Sequence, residues 1–475
     1  MSVLPIGFRV RLAPNVRVSG DGTVLTGGAP LRVLFPGAAA RALLAAGADR
    51  EDGADREFTV TDRRSRALAD KLLGYGIAEP VTPSLPPVSP AQVTYVVPVR
   101  DRPEALERLL QSIGSGKAVI VVDDASRDPD AVAAVAARHG ADYLPLAENM
   151  GPAGARNAGL SRVLTPFVVF VDSDMVLDPE TVPQLLRHFA DPLVALAAPR
   201  ILGWNPGADP GWICRYEDSR SSLDLGARSS LVHPRAPVSW LPAACLVGRV
   251  DALGSGFSPE LRVAEDVDLV WALIRDGWRV RYDASVAARH EHRRELVPWL
   301  GRKAFYGTGA HELALRHGSN VAPAVLSPWS AAAMVALLAQ RRWSVPAAAA
   351  LTGWTALRLA GRLRRSPQPA VLAASLAGQG MLAALGQTSA LLLRHWWPLT
   401  AVGVCFSRRI RRAALAAALA DVVVEYVRTG TELDIVRFAV ARRLDDLAYG
   451  AGVWLGVVRG RSLRALIPEI TGRRT

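Results

Sequence analysis

Two aspartates separated by one residue, Asp172 and Asp174, follow the apolar run FVVFV at 167–171. Carboxylates at alternate positions of an extended chain project to the same side of the backbone. Such a pair suits a hard divalent cation that also binds a diphosphate. The alternative is an Asx turn that caps the next helix, because aspartate favours such turns. The spacing therefore indicates either a metal–diphosphate site or a helix cap.

A second pair of aspartates, Asp123 and Asp124, ends the apolar run at 118–122. A carboxylate there can accept a hydrogen bond from a nucleobase N–H or a ribose hydroxyl, and the alternative is again a helix cap. The stretch ENMGPAGARNAGL at 148–160 is a glycine-rich turn that opens a helix containing Arg156 and Asn157. Backbone N–H groups at a helix start favour an anion, whereas simple turn chemistry is the competing interpretation.

A third acidic group, Glu265, Asp266 and Asp268, opens a predicted helix. Its functional interpretation is a general base, a carboxylate that takes the proton of an acceptor hydroxyl. Its alternative is a charged first turn stabilised by the helix dipole. Downstream, His290 and His292 lie on one side of a predicted strand. A histidine after the paired aspartates would be a further metal ligand or phosphate contact, or simply structural.

Between these motifs the chain alternates apolar runs with helical patterns. The predicted strands cover 93–99, 118–122, 141–146, 167–171 and 193–199, and two of the predicted helices cover 102–113 and 178–189. This alternation predicts an α/β fold with a mixed, mostly parallel sheet covered on both faces. Ligands in such folds gather at the carboxyl ends of the strands. The polar clusters, including Arg100-Asp101 and Asn149, fall at those ends.

The flanking segments differ in character, and we expect four segments in all. Residues 1–80 read as a small α/β unit, with a strand-like pattern at 8–18 and helical patterns at 36–47 and 61–76. Residues 81–90 hold four prolines and predict a linker. Residues 91–315 form the catalytic domain, and 316–475 form a helical, alanine-rich region.

The helical region includes stretches that are apolar enough to contact a membrane. No Asp, Glu, Lys or Arg occurs between Ser366 and Leu393, or between Val321 and Gln340. About 20 apolar residues span a bilayer, so 369–393 is long enough. The alternatives are a packed bundle in water and an amphipathic attachment to the membrane surface. Arginine clusters at 341–342, 362–365 and 408–412 flank these stretches and would face anionic headgroups.

Composition excludes several other classes of protein. The chain has 475 residues, half of them hydrophobic, which excludes a wholly disordered chain. Its three cysteines form no CxxC pair, which argues against a zinc site or a disulfide framework and favours a reducing compartment. The net charge of +12 comes almost entirely from arginine, which suits phosphate and carboxylate partners. No nucleic-acid-binding motif is present, and the amino terminus does not resemble a secretory signal.

The motifs PVRDRP, VVDDAS, NMGPAGARNAG, DSD and AED, in this order over residues 93–310, resemble glycosyltransferase family 2 with a GT-A fold. The resemblance implies an inverting transfer from a nucleotide-diphosphate sugar, with Mg²⁺ or Mn²⁺ on the diphosphate. It implies Asp266 as the catalytic base, and Trp240 and Glu265 at the acceptor. The metal ligands would be Asp172, Asp174 and His290. The nucleotide-sugar contacts would be Pro98, Arg100, Asp101, Asp123, Asp124, Arg156, Asn157 and Asp172.

A narrower resemblance covers nearly the whole chain. The stretch LPIGFRVRLAPNVRV, joined to the catalytic domain and an alanine-rich tail, is similar to the glycosyltransferases of the mycofactocin system. This implies UDP-glucose as donor, the peptide-derived redox cofactor precursor as acceptor, and a short β-1,4-linked oligoglucoside as product. The amino-terminal unit would be a PqqD-like winged-helix domain that presents the acceptor or docks a pathway protein. The enzyme would work in the cytoplasm or on the cytoplasmic face of the membrane.

Three further interpretations are weighed against this one. A family 2 transferase with a lipid-linked or membrane polysaccharide acceptor fits the apolar tail, but such an acceptor needs no peptide-binding unit. A catalytically silent scaffold does not explain the intact set of Asp172, Asp174 and Asp266. A dinucleotide-binding dehydrogenase lacks its GxGxxG after the first strand. The stretch at 340–343 is one residue short of the QxxRW motif of processive members, so a long polymer is not expected. Trp240 would be a sugar platform or a core tryptophan.

Overall fold

The computed structural model describes residues 4–20, 22–46, 56–205 and 211–472. Its internal contacts divide the chain into two compact units. Within the described residues, the first unit, which we call the sheet unit, comprises 4–205, with the gaps given above, and 221–292, while the second, the helical unit, comprises 211–220 and 293–472. This division falls earlier than the predicted one at 315/316, because the long helix that begins at Leu296 packs closely against the last long helix of the chain.

The amino-terminal part of the sheet unit holds two small antiparallel sheets, ordered β5-β1-β6 and β2-β3-β4. Its strands and helices are β1 (Arg9–Leu12), β2 (Arg17–Ser19), β3 (Val24–Gly27), β4 (Arg32–Leu34), β5 (Glu57–Thr59), β6 (Ala78–Pro80), α1 (Ala38–Ala46) and α2 (Arg63–Gly74). Both predicted helices are confirmed. The single strand predicted over 8–18 is wrong: a turn at Pro14-Asn15 separates β1 from β2, since proline cannot continue a strand ladder. Phe8, Val10 and Leu73 lie in its core.

The main sheet of the sheet unit is mixed, with the order β11-β15-β12-β14-β10-β7-β8-β9 and β13 paired to β15. Its strands are β7 (Val93–Val99), β8 (Ala118–Asp123), β9 (Asp142–Pro145), β10 (Phe167–Val171), β11 (Met175–Leu177), β12 (Val194–Trp204), β13 (Ser230–Leu231), β14 (Cys245–Arg249) and β15 (Arg279–Glu291). Strands β7 to β10 pair in parallel, and β14 runs antiparallel between β10 and β12. All five predicted strands are therefore confirmed.

Helices cover this sheet, and most of them begin within six residues of the preceding strand. They are α3 (Pro103–Ile113), α4 (Pro129–Arg138), α5 (Gly151–Leu160), α6 (Thr181–Arg187), α8 (Val250–Leu253) and α9 (Glu265–Arg275). The core of the sheet buries Leu106 and Leu109 of α3 against Val97 and Val169 of the strands. The proline-rich segment 81–90 is held on α6, since Gln184 donates to the Thr82 hydroxyl at 2.6 Å.

The helical unit consists almost entirely of helices. They are α7 (Gly211–Arg220), α10 (Leu296–His317), α11 (Pro328–Leu338), α12 (Ser344–Arg362), α13 (Pro369–Ala390), α14 (Trp397–Phe406), α15 (Arg408–Thr429) and α16 (Ile435–Gly460). A π-helical turn, Leu391–His395, follows α13, and two short strands, β16 (Val325–Leu326) and β17 (Glu469–Ile470), pair in parallel. Among the described residues, one helical stretch, Pro369–His395, is long and apolar enough to cross a bilayer.

Charged side chains of the helical unit lie in its interior. Lys303 on α10 contacts Glu217 on α7 at 2.8 Å, and Arg442 on α16 contacts Asp446 at 2.9 Å. Arg394 reaches the same Asp446 oxygen at 3.0 Å. We call these five residues the buried ion cluster. Many apolar side chains of this unit are exposed instead, among them Val335, Leu357, Leu382, Phe406 and Val427.

Candidate active site

The carboxyl ends of β7, β8 and β10 bring the aspartate motifs to one edge of the sheet. Parallel pairing places Val99 opposite Asp123 and Val96 opposite Phe170, so the loops after these strands are neighbours. The loop after β10 is tied to the strand beside it, because the Asp172 N–H donates to the Ala244 carbonyl at 3.0 Å. The expectation that polar clusters meet at the carboxyl ends of the strands is thus confirmed.

Asp123 and Asp124 are buried and organise the loops around them. The Asp123 carboxylate accepts from the Ser126 N–H at 2.9 Å and from the Tyr143 hydroxyl at 2.8 Å. The Asp124 carboxylate accepts from the N–H groups of Met150 and Gly151 at 2.6 and 3.0 Å. Asp124 therefore caps the start of α5, which joins the VVDDAS motif to the glycine-rich motif.

Asp101 and Ala125 both adopt conformations that residues with a Cβ seldom adopt, with φ angles of 56° and 57°. The Asp101 N–H donates to the Ser126 hydroxyl at 2.9 Å, and its carboxylate accepts from the Arg127 N–H at 2.7 Å. These bonds hold the two loops in the strained geometry. The loops after β7 and β8 therefore form one rigid rim, with Pro98 half-buried and Arg100 exposed.

Arg156 lies at the centre of the site and is only 3% exposed. Its Nη1 donates to Glu265 Oε1 at 2.8 Å, and its Nη2 donates to Asp172 Oδ1 at 2.6 Å. The guanidinium carbon lies 5.3 Å from the centre of the Phe257 ring. Burial disfavours the charged guanidinium, but Asp172 and Glu265 outweigh it and raise the pKa of Arg156. One buried cation thus connects the DSD motif with the AED motif.

Asn157, the next residue on α5, holds the loop that precedes the AED helix. Its Nδ2 donates to the Phe257 carbonyl at 2.7 Å, and its Oδ1 accepts from the Phe257 N–H at 2.8 Å. Gly256 has a φ of +78°, and a Cβ there would come within 2.3 Å of Asn157 Oδ1. The close approach of side chain and backbone therefore requires glycine at this position.

Asp266 sits in the first turn of α9, after Ala264 in a left-handed conformation with a φ of 66°. Its Oδ1 accepts from the Val267 N–H at 2.8 Å and its Oδ2 from the Ala243 N–H at 3.3 Å. Burial and the adjacent charge of Glu265 raise the pKa of Asp266 to about 7, against the opposing effect of Arg156. A carboxylate with a pKa near neutrality is suited to general-base work.

Asp174 and His290 meet because β11 pairs antiparallel with β15, which places Met175 opposite His290. The His290 Nε2 lies 3.6 Å from Asp174 Oδ2. Arg102, which directly follows the Asp101 loop, donates from Nη1 to the same oxygen at 2.6 Å. Sequence reasoning missed this contact of Arg102, although the residue stands inside the PVRDRP motif.

The carboxylates of Asp172 and Asp174 fit Mg²⁺ or Mn²⁺, hard cations that take carboxylate oxygens, and His290 would add an imidazole nitrogen beside them. In the part of the chain that the structure describes, no group of three or more His, Cys, Asp or Glu side chains is assembled into a metal centre. Both aspartates of the motif are instead engaged by arginines, Asp172 by Arg156 and Asp174 by Arg102. A cation bound by these carboxylates would share them with the two guanidinium groups.

Trp240 lies in the segment that runs toward β14 and is half-buried. The backbone beside it is fixed, since the Trp271 indole N–H on α9 donates to the Ser239 carbonyl at 2.7 Å. Helix α9 and the Trp240 segment are therefore held together, next to Glu265 and Asp266. Of the predicted site residues, the structure gathers Asp172, Arg156, Glu265 and Asp266 around one buried centre. It places Asp101, Asp123 and Asp124 on the adjoining rim.

Comparison with known proteins shows that the chain is similar to glycosyltransferases. Residues 94–229 match the model of "Glycosyl transferase family 2", and residues 167–406 match that of "Glycosyl transferase family group 2". The pre-mycofactocin glycosyltransferase of Mycobacterium tuberculosis is 40% identical over 477 residues, which cover 98% of each chain. An N-acetylglucosaminyltransferase of Bradyrhizobium diazoefficiens is 27% identical over 253 residues, covering 49% of this chain and 50% of the relative.

Among solved structures, a mannosyltransferase from Pyrobaculum calidifontis in complex with GDP-Man and Mn²⁺ is similar over 63% of this chain and 88% of its own, with 19% identity and a TM-score of 0.38. The chain therefore belongs to glycosyltransferase family 2, in the group of the mycofactocin-system glycosyltransferases. The α/β GT-A fold and the nucleotide-sugar glycosyltransferase activity expected from the five motifs are confirmed.

Proposed function

We propose that this glycosyltransferase moves glucose from UDP-glucose, with inversion, to a hydroxyl of the peptide-derived mycofactocin precursor, and builds a short β-1,4-linked oligoglucoside. The observation that carries the reaction is the placement of Asp266 beside the Arg156-centred cluster that contains Asp172. The observation that carries the acceptor is the likeness, at 40% identity over 98% of each chain, to the pre-mycofactocin glycosyltransferase of Mycobacterium tuberculosis.

Asp266 is proposed as the base that takes the proton from the acceptor hydroxyl as this oxygen attacks the anomeric carbon. A single in-line displacement of this kind inverts the configuration of that carbon. The N–H groups of Ala243 and Val267 hold the Asp266 carboxylate in place. Because the pKa of Asp266 is raised to about 7, it is basic enough to accept the proton at neutral pH.

Asp172, Asp174 and His290 would hold the divalent cation on the donor diphosphate. When bound, this cation stabilises the negative charge of the leaving UDP. Asp101, Asp123 and Asp124 would contact the uracil and ribose, with Pro98 and Arg100 at the same rim. Existing hydrogen bonds fix these carboxylates before the donor arrives, and this preorganisation supports the assignment.

Trp240 and Glu265 would contact the acceptor side. Glu265 is already fixed by Arg156, and the segment carrying Trp240 is fixed by Trp271.

We further propose that the amino-terminal part, with β1 to β6, acts as a PqqD-like peptide-binding unit that presents the precursor or docks a pathway protein. Arg279 of β15 supports a fixed placement of this unit, since it bridges Asp70 of α2 and Asp191, which precedes β12, at 2.6 and 2.7 Å.

We also propose that the enzyme works at the cytoplasmic face of the membrane. The exposed apolar side chains of α11 to α15 support this location, as does the helical stretch Pro369–His395. Arginines at 408–412 begin α15 and would face anionic headgroups. Flotation with vesicles of phosphatidylglycerol and phosphatidylcholine tests the location. Recovery of the protein in the aqueous fraction with both lipids contradicts it.

The decisive experiment is mass spectrometry of the acceptor after incubation with UDP-glucose, Mn²⁺ and the unglycosylated precursor. We expect a ladder of hexose additions that is absent with Asp266→Asn. A β-1,4-glucanase should degrade the ladder, and the coupling constant of the anomeric proton should be that of a β-glucoside. UDP-galactose is the control donor and should give no ladder.

A second candidate function, transfer to a lipid-linked acceptor, is favoured by the exposed apolar surface of the helical unit. Release of UDP with a membrane lipid extract, but no ladder on the precursor, would establish this alternative. If protein shown to be folded by circular dichroism released no UDP with either acceptor, that result would contradict both functions.

A further inference from the structure

The salt bridge of Arg102 with Asp174 differs in kind from that of Arg156 with Asp172. The Arg102 side chain is 43% exposed, whereas that of Arg156 is 4% exposed. Arg156 holds two carboxylates at once, and Arg102 has Asp174 as its carboxylate partner among the ion pairs described above. An exposed ion pair contributes about 0–1 kcal/mol, so its opening costs little. Arg102 is therefore the arginine that can leave its aspartate.

The contacts of Asp174 Oδ2 explain why Arg102 would have to leave. The Arg102 Nη1 lies 2.6 Å from this oxygen and the His290 Nε2 lies 3.6 Å from it. A divalent cation that takes this oxygen meets a guanidinium of the same charge sign at hydrogen-bond distance. The cation and the Arg102 guanidinium therefore compete for one oxygen atom.

The released guanidinium would find a new partner in the donor. The proposed donor carries a diphosphate, and the fork of an arginine binds phosphate oxygens in a bidentate manner. Arg102 follows the Asp101 loop, and Asp174 follows β10, the strand that pairs with β7. The Arg102 side chain thus lies between the rim formed by the loops after β7 and β8 and the DSD motif. The diphosphate of the proposed donor would lie at this place.

We propose that Arg102 is an exchangeable clamp. It neutralises Asp174 while the site is empty, and it transfers to the donor diphosphate when the cation takes Asp174. This inference rests on the proposed donor and cation. It assigns a positioning role to Arg102, since the guanidinium acts on the phosphates and not on the transferred proton or the anomeric carbon.

The test is the affinity of Arg102→Gln for two ligands, measured by isothermal titration calorimetry without any acceptor. Mn²⁺ alone should bind more tightly, by a factor of about 3 to 10, because the competing cation is gone. UDP in saturating Mn²⁺ should bind about 10 to 100 times more weakly, because a charge-assisted contact to phosphate is lost. Uridine should bind with unchanged affinity, since it has no phosphate.

Two further variants make the result specific. Arg102→Lys keeps the charge but not the fork, and it should keep Mn²⁺ affinity near that of the wild type while UDP binding weakens by a smaller factor. Arg138→Gln breaks an exposed pair of similar length with Glu107, remote from the site, and should change neither affinity.

The clamp requires that Arg102→Gln increase the affinity for Mn²⁺ and decrease the affinity for UDP. Weaker or unchanged binding of Mn²⁺, or unchanged binding of UDP, overturns the clamp. A wild-type protein that is folded but binds neither Mn²⁺ nor UDP overturns the proposed function instead, so the two failures are distinguishable.

Discussion

The side-chain amide of Asn157 is paired at both ends with the backbone of Phe257, through bonds of 2.7 and 2.8 Å. These two hydrogen bonds tie the glycine-rich helix α5 to the loop that leads into helix α9. The sequence alone suggests that Asn157 contacts the nucleotide sugar, and that contact stays a prediction. In the described structure the side-chain Nδ2 and Oδ1 of Asn157 both form hydrogen bonds with the backbone of this loop.

We expect Asn157→Asp to destabilise the protein by about 1–3 kcal/mol. The substitution replaces the Nδ2 donor with an oxygen that faces the Phe257 carbonyl, so a buried acceptor loses its partner. Urea denaturation followed by circular dichroism measures the effect. Asn149→Asp is the control, because Asn149 uses only its Oδ1, as an acceptor for the Gly151 N–H at 3.0 Å. Equal stability of the two variants would contradict the structural role.

Asp266→Asn should lower kcat by at least about 100-fold, the usual contribution of a general base, while the affinity for UDP stays within about twofold. Steady-state kinetics and calorimetry give the two quantities. Asp268→Asn removes the same charge from the first turn of the same helix and should retain most of the activity. If Asp266→Asn abolished UDP binding as well, Asp266 would belong to the donor site.

The activity should depend on pH through Asp266. With its pKa raised to about 7, the carboxylate is protonated below pH 7, and kcat/KM should fall about tenfold per pH unit on that side. Above pH 7 the profile should level off. Glu265→Gln removes a charge that raises the pKa of Asp266, so the acidic limb should move to lower pH. If the acidic limb stayed in place or moved to higher pH, a group other than Asp266 would be responsible for it.

Arg156→Met should destabilise the protein by about 3–5 kcal/mol, because it leaves the Asp172 and Glu265 carboxylates near a buried site without their shared cation. Arg156→Lys should recover part of this loss, since a lysine reaches only one carboxylate well. Arg162→Met is the matched control, an exposed arginine two residues past the end of α5. Destabilisation of similar size in the control would show that Arg156 has no special role.

In the helical unit, α10 and α16 approach each other through glycines. A Cβ at Gly452 would lie 1.8 Å from the Ala304 carbonyl oxygen, so Gly452→Ala should force the helices apart and cost about 1–3 kcal/mol. Gly378 lies within α13, and a Cβ there meets nothing within 4 Å. Gly378→Ala should therefore be neutral or slightly stabilising, by up to about 1 kcal/mol. Circular dichroism on heating compares the two variants.

The sequence predicts the strands and the aspartates at their ends because strands buried on both faces form continuous apolar runs. The acidic start of α9 is equally visible. The contact of Arg102 with Asp174 could not be predicted, because it joins residues 72 positions apart and depends on which strands are neighbours. The approach of His290 to Asp174 depends on the register of β11 on β15. The ion pairs of both DSD carboxylates with arginine follow from these pairings and cannot be recognised from the spacing of residues along the sequence.

The buried ion cluster and the exposed leucines, valines and phenylalanine of the helical unit have a consequence for the laboratory. Dyes that fluoresce on apolar surfaces report unfolding only when the folded protein does not bind them. This folded protein already presents such a surface, so its dye fluorescence should be high before heating and should show no clean melting transition. A mild detergent should suppress that initial fluorescence while circular dichroism stays unchanged, because the micelle covers the outside and leaves Lys303, Asp446 and Arg442 enclosed.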